Sequence, residues 1–342
     1  MKSTYFKYAR VFILFTCLFF SFEVVAQNEI KSLPIPFGQY MRSLPLINPA
    51  VAGSYSKAEL NTGVQRQGGN WSNINTYYFN ANFRLTKDLK QAHQQTKIPS
   101  EETYDDSLTI EEDTTEEFSS LPNSYHVAGV TLIGDKEGEF LNRTGLYALY
   151  AWHTRIRPSV YLSAGAMVGF KNYSVNENYV NGGGSSFAPD GNIGLYLYGN
   201  RFNLGVSANQ IFNGKLAPLR EVTRLIPHLN VMGSRTWQIS RYFAFKPSVL
   251  FRIAPQYTSD ATFYLGAMLQ NILSVTAGYK YKKGGTAIVG LEKIRIGNSC
   301  IKAAFSYYFP MGNVHQLNIN TYEITLNYFL KPNPGTHGII FQ

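Results

Sequence analysis

TYEITLNYFL, residues 321–330, is the stretch whose reading decides the fold. Tyr322, Ile324, Leu326 and Tyr328 fall on one face, and Glu323, Thr325 and Asn327 fall on the other. A period of two is what a strand imposes, because successive side chains point to opposite sides of a sheet. The same message recurs upstream. IKAAFSYYF, residues 301–309, aligns Ile301, Ala303, Phe305, Tyr307 and Phe309. SVYLSAGAMVGF, residues 159–170, sets Val160, Leu162, Ala164, Ala166, Val168 and Phe170 against Tyr161, Ser163, Gly165, Met167 and Gly169. RFNLGVSANQIF, residues 201–212, sets Phe202, Leu204, Val206 and Ala208 against Asn203, Gly205, Ser207 and Asn209.

Fourteen such segments are readable, at 58–66, 74–85, 124–133, 143–154, 160–170, 192–198, 202–211, 228–237, 243–252, 261–269, 274–281, 285–291, 301–309 and 321–330. Most approach the ~9–11 residues that a tilted strand needs to cross a bilayer, and single-chain bacterial outer-membrane barrels have even strand numbers. Composition agrees: aromatic residues make up 15% of the chain and charged residues only 15%, below the usual quarter of soluble domains. A soluble β-sandwich would also alternate, but with turn signals at shorter intervals and a charged outer face. Here the counter-face is Ser, Asn, Gly and Thr with scattered charges, which suits a lumen. Hydrocarbon offers no partner for free N–H and C=O groups, so a membrane sheet must close on its own edge. The expected fold is all-β, a transmembrane antiparallel β-barrel of about 14 strands over residues 58–330, seated as a multi-pass protein in the outer membrane.

Loop lengths orient it. If the first strand leaves the periplasm, the odd-to-even connections face outward, and these include the long 172–190 and 213–227. Many even-to-odd connections are short: RIRPS, GN, QISRY and QNI. Two break this pattern, the stretch 86–123 and EKIRIGNSC at 292–300. Within the first, residues 101–117 hold nine acids and no base, and the low apolar content marks a flexible acidic insert.

The amino terminus reads as a signal peptide over residues 1–26, with Lys2, Lys7 and Arg10 before an apolar core and a small residue, Ala26, at the expected cleavage point. Its removal takes away three bases and one acid and lowers the formal net charge from +9 to +7. Cys300 then stands alone in the mature chain, which excludes an internal disulfide and leaves stability to the fold. Residues 27–57 form a short periplasmic lead, and 331–342 a tail.

Inside that lead, QYMRSLPLINPAVAGS, residues 39–54, follows neither period. Pro45 and Pro49 lack amide hydrogens and push the residue before them toward extended geometry, so no helix or central strand is expected through it. Asn48-Pro49 and the following Ala-Val-Ala-Gly read as a turn with Gly53 free to take φ > 0. Its apolar residues are each stabilised by roughly 1.5–3 kcal/mol when buried. The stretch is therefore expected to be ordered, packed into or under the periplasmic mouth, either narrowing it or presenting a docking surface through Tyr40, Leu46, Ile47, Asn48, Pro49, Ala50 and Gly53. Packing against a strand end is the plainer alternative.

Catalysis finds no frame. The six histidines are scattered, no GxSxG, HExxH or CxxC occurs, and NGGGSS at 181–186 lacks the Lys-Ser/Thr of a phosphate cradle. No catalytic residue, metal or cofactor is expected. The basic balance fits anionic lipid headgroups of the outer membrane better than nucleic acid, given export and the amphipathic strands. The lysines of KYKKGG, residues 280–285, read as a solvated hairpin.

QYMRSLPLINPAVAGS, LGVSANQIF, PHLNVMGSRTWQISRYFAFKPSVLFR, FYLGAMLQNILSVTAGYKY and TYEITLNYFL occur in this order, and together they resemble the PorP/SprF family of type IX secretion system outer-membrane proteins of Bacteroidota. LINPAVAGS is the most specific element. Arg42, Ser43 and Leu44 stand where a Met-Phe-Asn type of sequence is more usual. The resemblance implies a non-enzymatic secretion component that supports export or surface attachment of particular cargo. Its implied partners are other type IX components, a periplasmic peptidoglycan-linked lipoprotein and a secreted surface adhesin or other cargo, with a link to gliding motility. A porin or hydrophobic-solute channel is the alternative reading.

Overall fold

The computed structural model describes residues 30–32, 37–68, 74–85, 121–178, 183–218, 222–240, 242–254, 259–270, 272–281, 283–311 and 320–332. The expected signal peptide over 1–26, residues 86–120 of the expected acidic insert and residues 333–342 of the expected tail lie outside the described residues.

Fourteen staves form the sheet. They are β1 (Ser56–Gly68), β2 (Ile74–Arg84), β3 (Ser124–Glu137), β4 (Leu141–Arg157), β5 (Val160–Val175), β6 (Ser185–Gly199), β7 (Phe202–Asn209), β8 (His228–Arg235), β9 (Phe243–Ile253), β10 (Asp260–Leu269), β11 (Leu273–Lys280), β12 (Gly284–Ile296), β13 (Ser299–Pro310) and β14 (Asn320–Pro332). Beyond an irregularity at Thr236, Trp237–Ser240 continues the course of β8 against the start of β9. Each stave pairs antiparallel with its sequence neighbour, and β14 returns to β1 from Asn320↔Gly68 to Pro332↔Ser56. β8 pairs with both β7 and β9, so the ring has no free edge. Closure satisfies the backbone within the sheet, which is the condition for crossing hydrocarbon.

The alternation of β14 is realised as read: Ile324 is 61% exposed while Glu323 beside it is 1% exposed. Val64, Leu132, Val168, Leu204, Leu265 and Val289 lie on the outside, whereas Asn61, Asn80, Thr131, Ser163, Ser207, Thr276 and Asn327 are buried inside. Exposed apolar and buried polar residues invert the soluble pattern. No helix among the described residues is long and apolar enough to cross a membrane; the strands cross it. Placing a cation on the lipid face tests this. Ile324→Arg is expected to lower barrel stability in bilayers by about 2–4 kcal/mol, and urea titration in lipid vesicles reads the change; an unaltered midpoint would put that face in water.

One connection corrects the sequence reading. EKIRIGNSC is not a loop: β12 runs to Ile296 and β13 starts at Ser299, leaving a two-residue turn at Gly297-Asn298. Plain alternation places Glu292 on the inner side with Thr286, Ile288 and Gly290, and a register shift follows between Leu291 and Ile294. The charges Lys293 and Arg295 sit near the end of the strand, where long basic side chains reach past the apolar belt. The long connection 172–190 also shrinks, because β5 extends to Val175 and β6 resumes at Ser185.

Candidate functional site

The barrel is not empty. Residues 37–55 lie across its interior, from Gln39 beside Glu323, whose strand partner Gln65 lies late in β1, to Gly53–Tyr55 at the end where β1 begins, hereafter the near end. Three tight turns build this plug: a 3-10 turn at Tyr40–Arg42, one α-helical turn α1 at Leu44–Ile47, and a 3-10 turn at Pro49–Val51. No helix runs through the stretch, since its helical turns are only three or four residues long. Pro45 occupies the first turn of α1, where its missing N–H would have had no helical partner anyway. Pro49 opens the second 3-10 turn, and Asn48 caps it by accepting from Ala50 N through Oδ1 at 3.0 Å.

Hydrogen bonds from the wall hold the plug all round. Against β14, Gln39 donates its backbone N–H to Glu323 Oε2 at 3.1 Å and its side-chain amide to Glu323 O at 3.0 Å, and it accepts from Thr325 at 2.9 Å. Asn327 Nδ2 donates to Arg42 O at 3.0 Å. On the β6–β7 side, Asn48 Nδ2 donates to Leu195 O at 2.9 Å and Val206 O at 3.3 Å. Ile47 O accepts from Ser207 Oγ at 2.7 Å and Asn209 Nδ2 at 3.0 Å. Ser163 on β5 donates to Ala50 O. His153 on β4 bonds Ala52 O through Nε2 at 2.9 Å. A carbonyl can only accept, so Nε2 carries the proton and Nδ1 accepts from the Tyr198 hydroxyl at 3.0 Å.

Ionic contacts close the remaining sides. Arg42 pairs with Glu292 of β12, whose other carboxylate oxygen faces Lys302 Nζ of β13 at 3.8 Å, and all three side chains are buried. At the chain's passage into β1, the Glu59 carboxylate accepts from the N–H groups of Gly53, Tyr55 and Ser56 at 3.4, 2.9 and 3.1 Å. The Arg84 guanidinium donates to Gly53 O and lies over the Tyr125 ring at 4.2 Å. Gly53 takes φ +76°, and a Cβ there would stand 2.5 Å from Val127 Cγ2, so both backbone and space require glycine. Gly165 is equally constrained, since its Cβ would meet Ala50 N at 2.4 Å.

All seven residues singled out from the sequence come together in this plug. Tyr40, Asn48, Pro49, Ala50 and Gly53 are buried, with Tyr40 tilted against Tyr264 at 5.3 Å between centroids. Leu46 and Ile47 are half-buried and, with Phe37, Gly38 and Tyr40, form the floor of a cavity of about 290 Å³ in the far half. The sequence reasoning missed Gln39 and the wall partners, among them Glu59, His153, Glu292, Lys302, Glu323 and Asn327. The one available signal was a set of full-length charges, Glu292, Lys302 and Glu323, in strands otherwise faced by small polar residues. Among the described residues no group of three or more His, Cys, Asp or Glu is placed to hold a metal.

Similar solved structures are barrels of distant sequence. The Pseudomonas putida toluene transporter TodX is 11% identical over 85% of this chain and 93% of its own, with a TM-score of 0.47. A Pseudomonas aeruginosa FadL homologue is 9% identical over 84% and 93%, with a TM-score of 0.45. The Acinetobacter baumannii outer membrane protein Omp33 is 10% identical over 81% and 100%, with a TM-score of 0.42. No curated protein matches the sequence. The description "Type IX secretion system membrane protein PorP/SprF" matches residues 30–328, plug and staves alike, and the chain therefore belongs to the PorP/SprF family as an outer-membrane β-barrel protein.

Proposed function

We propose that this protein is a non-enzymatic mounting of the type IX secretion system. In this reading it holds partner proteins at the periplasmic mouth and so supports export or surface attachment of particular cargo. The observation that carries it is the occupied lumen: the family-specific stretch 46–54 is spent on bonding the wall from β4 to β7, which suits a rigid platform better than a conduit. Family membership supplies the secretion context. The near end, with its two-residue turns at Pro158-Ser159 and Gly297-Asn298, is then the periplasmic face. Partners of the matching kind are other type IX components and a periplasmic peptidoglycan-linked lipoprotein. The cargo is a secreted surface adhesin or similar protein, and in a gliding bacterium the same mounting would serve motility. The same plug weighs against the porin reading, because a diffusion channel gains nothing from a lumen bonded shut.

A photo-crosslinking residue at Arg201, exposed in the near-end turn, and another at Gly138, in the far-end turn after β3, test the reading in intact cells. Capture of type IX components from position 201 and their absence from position 138 is the expected result. A strain lacking the protein should retain cargo in the periplasm. Normal surface display in that strain, with no capture at position 201, would sink the proposal.

A further inference from the structure

The plug has a direction, and it runs from the far end to the near end. Phe37 meets the Tyr78 ring edge-on at 4.8 Å between centroids, and Tyr78 pairs with Gly63 beyond the middle of β1. Gly38 O accepts from the Tyr264 hydroxyl, and Phe37 and Gly38 both border the far-half cavity. Gln39 is bonded to Glu323, level with Gln65. The chain then crosses the lumen and meets Glu59 only at Gly53, Tyr55 and Ser56. Gln65 and Glu59 stand six residues apart on one strand, which is ~20 Å of rise. Between those levels the lumen is taken up by the plug itself, bonded to the wall from β4 to β7 and at β14. The residues before Phe37 are therefore left with the far side as their way out.

A second observation lies at the far mouth. β7 rises from the near-end turn at Arg201, so its connection to β8 stands at the far end. Within that connection Lys215–Leu216 pairs antiparallel with Thr223–Leu225, and the short strand Ile30–Ser32 adds to the other edge of Thr223–Leu225. The connection is tied to the far half of β6: Ala217 N–H donates to Ser186 Oγ at 2.9 Å, and Leu216 and Leu225 pack with Ala188 and Tyr173. Ser32 and Phe37 are five residues apart, a gap that a chain can span up to ~17 Å, so the two observations belong to one path.

We propose that the lead threads the barrel from the far end, so that the chain before Phe37 emerges beside the β7–β8 connection and is displayed on the cell surface. The surface assignment rests on the orientation taken in the proposed function, with the near end periplasmic; the far-end exit does not. The lead expected to be periplasmic is thus turned round: its amino-terminal side lies outside, and only its carboxy-terminal side meets the periplasmic mouth. It acts as a strap, joining a surface connection to the plug through the covalent chain, so a load on one reaches the other. Assembly follows the same logic. The closed ring has no free edge, so β14 must close on β1 around a lead already in place.

Two measurements separate the exit from the orientation. In a Cys300→Ser background, the protein in amphipol carries spin labels at Asn28→Cys and Glu139→Cys, or at Asn28→Cys and Arg201→Cys, and pulsed electron resonance reads each distance. Glu139 is exposed in the far-end turn after β3, and Arg201 in the near-end turn. The 28–201 distance should exceed the 28–139 distance by ~10 Å or more, since a hydrocarbon core of ~30 Å lies between the two ends. The reverse order would overturn the far-end exit. In intact cells, a flexible epitope inserted after Asn28 should be reached by antibody as fully as one after Gly138, and one after Arg201 only once the outer membrane is permeabilised. An epitope at 28 that stays hidden while the one at 138 is reached ends the claim of surface display. Epitopes reached at 201 and not at 138, with the distances as expected, would overturn the orientation and the display with it, but not the exit. The gel shift between folded and unfolded forms confirms that each variant closes its barrel.

Discussion

Gly165→Val is expected to expel the plug and turn a closed barrel into a conducting one. The wild-type glycine lets β5 approach so closely that a Cβ would stand 2.4 Å from Ala50 N and 2.6 Å from Ala50 Cα and Pro49 C. Those are backbone atoms held on the other side by Asn48, whose amide is bonded to Leu195 O and Val206 O, so they cannot step aside by changing a rotamer. The strand, by contrast, keeps its ladder: Gly165 pairs with Ala151 and Gly194, and valine suits a strand. The barrel should assemble with the plug displaced. Two readouts report it. Single-channel recording in a planar bilayer should show steady conductance where the wild type shows little, and trypsin should cut after Arg42, whose side chain is buried in the native plug. A variant that stays non-conducting with Arg42 protected would mean that the wall yields and the plug does not.

Glu292→Ala should be the costliest single change in the lumen. The Glu292 carboxylate is the acid shared by Arg42 and Lys302, with Ser274 donating to it at 2.5 Å, and Lys246 lines the same small gap beside Arg42 and Glu292. Removing it leaves cations buried and uncompensated, a situation that costs about 3–5 kcal/mol. Arg42→Met should cost less, because Lys302 and Lys246 remain to balance the carboxylate. Urea unfolding of the refolded barrel in detergent, followed by the gel shift between folded and unfolded forms, measures both. Losses of equal size, or a loss under about 1 kcal/mol for Glu292→Ala, would show that water reaches the group and screens it.

The staves were legible because their signal is local. In β14, Tyr322, Ile324 and Leu326 alternate with Glu323, Thr325 and Asn327 within a few residues, and lipid outside makes the apolar half of that pattern obligatory. The same held for all fourteen segments, whose centres fall in the observed strands. EKIRIGNSC misled because its charges mimic a loop, while in the barrel Glu292 turns inward to a partner that local sequence cannot reveal.

What the sequence by itself determined is therefore the number of staves, the face each turns to lipid, and the presence of one apolar, proline-bearing stretch that no strand could absorb. Only the tertiary structure decided that residues 37–55 lie within the lumen and not beneath it. The physical reason is distance along the chain: the bonds from Gln39 to Glu323 and from Arg42 to Glu292 join residues 284 and 250 positions apart. Their polar partners look alike in every strand until closure of the ring brings a few of them face to face with the plug.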